Sequence, residues 1–362
     1  MVAAEHFSQT YAEARDKFRA AADARGLDVV SHLHPMLGRD GESLAMDLAL
    51  DGPRDAAALL IVTSACHGVE GFCGSGIQVG LLRDADWHQR ARDAGVAVLY
   101  IHALNPYGFS WWRRTTHENV DLNRNFHDFS QPLPANPAYD ELAALLVPVT
   151  WPPAPEVDAA TTRYIAERGM RALQEAVSGG QYEHPEGLFY GGRNPTWSHV
   201  TLRHVLQEHA RRCRHLSWID LHTGLGPSGV GELIFAGSDA DAAGLRRARA
   251  WWGDKVTSMV DGTTSSAPLM GLMWTAVYDE CPQAEYTGIA LEYGTVPMME
   301  VITALRAEQW LEMHPEADEA QRSKIKTQMR DAFYTDTDAW KQQVLAQGLS
   351  AAHAAVAGLT RG

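Results

Sequence analysis

Four near-continuous apolar runs constrain this 362-residue chain more than any other feature: residues 57–64, 95–104, 216–221 and 288–291. That is the profile of strands buried on both faces of a mostly parallel sheet, where no polar residue is needed to face water. Each run leads into polar residues. The first runs to His67-Gly68-Val69-Glu70 and the second to Asn105-Pro106-Tyr107-Gly108, while the third ends at Asp220-Leu221-His222 and the fourth at Glu292. Sites in open α/β sheets form outside the carboxyl ends of strands, so these ends converge by topology.

The remaining pattern fits such a sheet. A helix is expected over about 5–25, and a hairpin from runs 29–36 and 43–50 around Gly38-Arg39-Asp40-Gly41. Further helices are expected over 74–83, 159–177, 197–212, 241–259, 298–313 and 315–348. The Pro-rich stretches 131–137 and 151–155 read as surface excursions, because candidate site residues lie on both sides of them. The expectation is therefore one domain over 1–362, with a rim-forming insertion at about 127–215 and a C-terminal helical segment at about 298–349.

Composition narrows the partners. With 45% hydrophobic and 21% charged residues the chain can build a substantial core. A formal charge of -14, from 31 basic and 45 acidic residues, argues against nucleic acid or an anionic membrane as partner. No apolar run is long enough to span a bilayer, and residues 1–25 lack the apolar centre of a signal peptide. The four cysteines have no CxxC spacing, which suits free thiols and a cytoplasmic location; Cys66, beside His67, reads as a packed small side chain.

The polar motifs read together as a mononuclear zinc site. A His and a Glu three apart, His67 and Glu70, can reach one metal from a single turn; His222 closes a His2Glu set, with Asp220 as a partner that orients it. Glu292 remains free to act as a base. HxxE alone is common, and Glu292 has a blander reading as a cap for a helix starting near Met298. Arg114 and Arg124 supply fixed positive charge for a carboxylate or an oxyanion; the bland alternative pairs Arg124 with Asp121 or Asp128.

The order His67-x-x-Glu70, Arg114, Asp121-Leu122-Asn123-Arg124-Asn125-Phe126, His222 and Glu292 resembles the zinc carboxypeptidase family (M14 type), with its aspartoacylase and succinylglutamate desuccinylase relatives, over roughly residues 55–300. The stretches His184-Pro185-Glu186-Gly187-Leu188-Phe189-Tyr190-Gly191-Gly192 and Asn194-Pro195-Thr196-Trp197-Ser198 are similar to its bacterial DUF2817 branch. The resemblance implies an α/β fold with a mixed, mostly parallel sheet of about eight strands flanked by helices. It further implies one Zn2+ held by His67, Glu70 and His222, Glu292 as general base, Arg114 polarising the scissile carbonyl, and Asn123 with Arg124 receiving a substrate carboxylate. Two features depart from the family. Thr223-Gly224-Leu225-Gly226 follows the third ligand, nearer the acylase relatives, and none of Tyr190, Tyr278, Tyr286 or Tyr293 aligns with the family's mobile tyrosine.

The function expected from these readings is zinc-dependent hydrolysis of an amide bond in a small peptide that carries a free carboxylate. One alternative is an N-acyl amino acid deacylase. Another, from a different class, is a catalytically silent ligand-binding protein on the same fold.

Overall fold

The structure, a computed structural model, describes residues 3–238 and 240–361. The described residues form one sheet of seven strands: β1 (Val29–Leu37), β2 (Ser43–Asp51), β3 (Ala58–Thr63), β4 (Val96–His102), β5 (His215–Ser228), β6 (Gly231–Phe235) and β7 (Glu285–Gly294). The order across the sheet is β1-β2-β4-β3-β5-β7-β6. The four central strands β4, β3, β5 and β7 are parallel, and β2 and β6 run against their neighbours. Seven strands replace the eight expected. β6 has no clear signal in the sequence, because an edge strand of five residues, only three of them apolar, leaves little pattern.

Fourteen α-helices surround the sheet among the described residues. In chain order they are α1 (Tyr11–Ala24), α2 (Gly71–Arg83), α3 (Ala85–Asp93), α4 (Pro106–Trp111), α5 (Pro137–Asp140), α6 (Ala143–Leu146) and α7 (Pro155–Arg168). There follow α8 (Met170–Ser178), α9 (Trp197–His209), α10 (Ala242–Trp252), α11 (Ala276–Glu280), α12 (Met298–Met313), α13 (Glu319–Phe333) and α14 (Asp338–Leu359). Two expected helices are each a pair. Residues 159–177 break at Gly169, whose φ of 87° no α-helix accommodates, and 315–348 divides where the side chain of Thr337 accepts from the Trp340 N–H and starts α14 anew.

Every residue of β4 and all of β3 except Ala58 are buried, as two-sided strands must be. On one face Phe18, Ile77, Val344 and Ala352 of α1, α2 and α14 pack against Leu60, Val62, Val98 and Ile289. On the other, Leu202, Val205 and Leu206 of α9 and Val277 of α11 cover Leu59, Ile61, Leu99 and Trp218. Each such large side chain contributes about 1.5–3 kcal/mol relative to exposure. A third cluster joins Leu173 and Val177 of α8, Val301 and Leu305 of α12 and Met329 and Phe333 of α13 to Val69, the residue before Glu70. The helices that follow the sheet are thereby fixed over the carboxyl ends of its strands.

No helix among the described residues is long and apolar enough to cross a membrane. All four cysteines are buried free thiols.

Candidate metal centre

The first two donors come from the turn after β3. Ala65 takes a left-handed φ of 57°, the chain reverses through Ser64 to His67, and Gly68–Glu70 forms a single 3-10 turn that feeds α2. A Cβ on Gly68 would lie 2.1 Å from the Gly108 carbonyl carbon, so only glycine lets the turn lie against α4. The Gly68 and Val69 N–H groups donate to the carbonyls of Arg114 and Arg113, at 3.1 and 2.8 Å. The segment carrying Arg114 therefore holds the backbone of the turn.

His222 and Glu292 are register partners on the parallel strands β5 and β7 and so face the same side of the sheet. Neither stands at a strand end as the sequence had suggested. β5 continues to Ser228 and β7 to Gly294, with a register shift beyond Thr223 where Gly224 and Gly226 adopt φ of 133° and 98°. Two glycines at conformations closed to other residues let the strand bend and carry on.

The donor atoms converge. His67 Nδ1 lies 2.8 Å from Glu70 Oε1, His222 Nδ1 lies 3.0 Å from Glu70 Oε2, and the two Nδ1 atoms are 3.2 Å apart. Two nitrogens each bound at 2.0–2.1 Å with a tetrahedral angle between them would stand about 3.3 Å apart. The three buried side chains present donors at that spacing with no rearrangement of the backbone. Their outer nitrogens are held by carboxylates: His222 Nε2 is 2.6 Å from Asp220 Oδ2, and His67 Nε2 is 3.2 Å from Asp121 Oδ1. A carboxylate on the outer imidazole nitrogen fixes the ring and leaves Nδ1 as the free base, the arrangement metal-binding histidines use.

Asp220 is itself anchored. The Thr63 hydroxyl donates to its Oδ1 at 2.6 Å, and the Trp218 indole N–H donates to that hydroxyl at 2.8 Å. From sequence, Asp121 reads only as a partner for Arg124. It instead accepts from Arg114 Nε at 2.9 Å and from the Asn123 N–H at 3.0 Å while facing His67. The signal was present, since Asp121 precedes Asn123 by two just as Asp220 precedes His222 by two, but only the fold puts it behind His67. Thr63 had no signal at all.

Burial would raise the Glu70 carboxyl, yet the charges and hydrogen bonds of His67 and His222 carry it well below the ordinary range. Glu292 goes the other way, pushed up to about 8 by burial and then by the negative charge of Glu70. A cation among the three donors acts against both causes. Glu292 Oε1 accepts from the Leu225 N–H at 3.0 Å, and its other oxygen makes no protein hydrogen bond among the described residues. It does not cap α12, whose N-cap is Pro297. Cys66 Sγ also lies near Asp220 and His222, but burial and then three nearby carboxylates raise its pKa and keep it a thiol.

Arg114 directs its guanidinium into the same cluster, with Nη1 3.3 Å from Glu70 Oε1 and Nη2 2.7 Å from His67 Nε2. With the Nε2 proton of His67 turned to Asp121, that nitrogen cannot accept from Nη2, so the guanidinium's hydrogen bonds in the cluster are those to Asp121 and Glu70. Arg124 donates from Nε and Nη2 to the Ser178 carbonyl and from Nη1 to the Asn123 carbonyl. It makes no ion pair with Asp121 or Asp128, nor with any other carboxylate among the described residues, and burial lowers its pKa. The Asn123 side-chain oxygen accepts from the Met273 N–H, which leaves its NH2 group as the free end.

His67, Glu70, Arg114, Asn123, Arg124, His222 and Glu292 all line one cleft, and Asp220 lies behind His222. No tyrosine lines the cleft among the described residues, so none of the four weighed from sequence stands at the donors.

The sequence matches the family described as "Protein of unknown function (DUF2817)" over residues 7–347. The chain belongs to the DUF2817 family. No curated protein matches it. Among solved structures, this DUF2817 chain is similar to bovine thrombin-activatable fibrinolysis inhibitor in complex with tick carboxypeptidase inhibitor, at 8% identity and TM-score 0.49, over 98% of each chain. It is similar to carboxypeptidase A from Helicoverpa armigera, at 13% identity and TM-score 0.45, over 90% of this chain and 74% of that one. A third similarity is to a metallo-carboxypeptidase from Burkholderia cenocepacia, at 15% identity and TM-score 0.37, over 90% and 68%.

Proposed function

We propose that the protein is a zinc-dependent hydrolase that cleaves an amide bond in a small substrate bearing a free carboxylate. The observation that supports this most is the meeting, in one buried cleft, of three donors at metal-binding spacing, two imidazoles oriented by aspartates, and a carboxylate on the adjacent strand with one oxygen held by the Leu225 N–H. His67, Glu70 and His222 would hold the ion, and the nitrogen-rich donor set with one carboxylate suits zinc better than magnesium or calcium. When bound, zinc supplies Lewis acidity to the scissile carbonyl and to the attacking water.

The chain's own groups divide the remaining work. Glu292 takes the water's proton on the oxygen that Leu225 does not hold, and returns it to the departing nitrogen. Arg114 turns the N–H groups that Asp121 and Glu70 do not hold to the oxyanion that develops. Arg124 and Asn123 receive the carboxylate, which would give the buried guanidinium the anion it lacks.

A peptide or an N-acyl amino acid satisfies these requirements equally. Metal analysis of the purified protein, with mass spectrometry of products from short peptides and N-acyl amino acids, tests the reading. One zinc per chain and a newly released amino acid are expected. Full metal occupancy without hydrolysis of either substrate class would refute it, and the identity of the product separates exopeptidase from deacylase.

A further inference from the structure

We infer that Phe189 is a positioning residue: its ring holds the guanidiniums of Arg114 and Arg124 in place and keeps the free edge of Arg124 open to an anion. The inference rests on the proposed reading of Arg124 as the carboxylate site.

The stretches 184–192 and 194–198 supply no metal donor, and their hydrogen bonds show what they hold instead. Asn119 donates from Nδ2 to the carbonyls of Pro185 and Gly187 at 2.8 and 3.0 Å, and Gln181 donates from Nε2 to those of His184 and Leu188 at 2.7 and 3.2 Å. Asn125, the neighbour of Arg124, donates from Nδ2 to the carbonyls of Gly191 and Asn194 and accepts from the Thr196 N–H. The Gln181 N–H donates to the Phe189 carbonyl, and the Asp121 N–H to that of Tyr190. The loop is fixed on both sides of Phe189, so its ring cannot swing away.

The backbone at this position is strained. Phe189 takes a φ of 52°, a left-handed conformation that a bulky aromatic residue adopts only at a cost. The loop carries glycine at 187, 191 and 192, yet keeps phenylalanine here. Strain held at a cleft residue points to a task for its side chain.

The ring is 7% exposed and lines the cleft, with its centroid 5.0 Å from Arg114 Cζ and 5.7 Å from Arg124 Cζ. Both lie within the roughly 6 Å over which a ring face attracts a cation. Arg114 has Asp121 and Glu70 to meet its charge, whereas Arg124 donates only to carbonyl groups. A buried cation needs negative potential around it, but an acid there would fill the place proposed for the substrate's carboxylate. The ring face supplies that potential without an oxygen that could compete, and its hydrocarbon keeps water away from two like charges.

A fluorination series separates the ring's charge distribution from its bulk, because each fluorine draws electron density from the face and changes the size little. Residue 189 of the zinc-loaded full chain is replaced by 4-fluoro-, 3,4-difluoro- and 3,4,5-trifluorophenylalanine, and butanoate is titrated as the probe by NMR. Its dissociation constant should rise stepwise by about tenfold in all, the scale of a desolvated cation–π contact, while zinc affinity stays within about twofold. Phe189→Leu, which carries the same backbone strain, should match or exceed the trifluoro variant. A flat series, or zinc affinity falling in step with that of butanoate, would overturn the inference. If butanamide binds the wild type as tightly as butanoate, the carboxylate reading of Arg124 fails instead. The ring is then judged by hydrogen exchange at the Arg124 Nε–H, which should quicken about tenfold or more in Phe189→Leu, and unchanged exchange there overturns the inference.

Discussion

Asp220→Asn isolates the contribution of imidazole orientation at the donor cluster. The replacement is nearly isosteric at a site whose side chain is 2% exposed, so packing around it is preserved. The wild-type carboxylate receives two short contacts, from the Thr63 hydroxyl and from His222 Nε2, both at 2.6 Å. An amide keeps one acceptor; with its oxygen toward His222 and its NH2 toward the Thr63 hydroxyl, which can turn to accept, the contact to His222 loses its charged acceptor. A hydrogen bond to a charged group is worth about 1.5–3 kcal/mol. At 1.4 kcal/mol per tenfold, the loss predicts metal binding weakened by roughly 10- to 100-fold, the range seen when an outer carboxylate partner is removed. Competition against a chromophoric chelator measures this directly, with circular dichroism to establish that the fold persists. Zinc affinity within about twofold of wild type in a folded variant would refute the argument that Asp220 orients a ligand.

Three further outcomes are expected. Glu292→Gln should retain zinc and lose activity by a factor on the order of a hundred or more, and loss of the metal with the activity would make Glu292 a ligand. Arg113, buried against Glu308, Glu312 and Gln309, should destabilise the protein by about 1.5–3 kcal/mol when changed to Met, measured by urea unfolding, because both acids keep Lys326 but lose their charged hydrogen bonds to Arg113. Burial alone would raise the Asp47 carboxyl, but hydrogen bonds from Arg15 and Ser31 win and lower it. Its contribution is therefore full above the unfolded-state value and is lost as pH falls through the folded-state one. Unfolding free energy measured at several pH values should show Asp47→Asn less stable than wild type at pH 7, with a gap that narrows below about pH 4; a gap constant with pH would exclude this pairing.

The central strands and the main site residues were legible because both are local in sequence. A strand buried on two faces must be apolar throughout, so β3 and β4 declared themselves, and His67 and Glu70 lie on one turn. Residues 159–177 read as one helix because Gly169 is tolerated in a helical pattern until its φ is known. β6 is not legible in the sequence because its five residues are defined by pairing with β7 and by little of their own.

What the sequence determined by itself is the set of groups: two imidazoles and three carboxylates attached to segments whose apolar pattern fixes their place in a sheet, and two guanidiniums and an amide on the loop that follows β4. Only the tertiary structure decided how those groups face one another. Whether Arg124 meets an aspartate or a backbone carbonyl depends on where α8 ends, and Asp121 turns to His67 because a loop between 115 and 121 reverses beside the Gly68–Glu70 turn. Thr63 became part of the centre because β3 and β5 are in register, 157 residues apart in sequence. Hydrogen bonds are set over a few tenths of an ångström, and contacts of that range between distant segments exist only once the chain has closed around them.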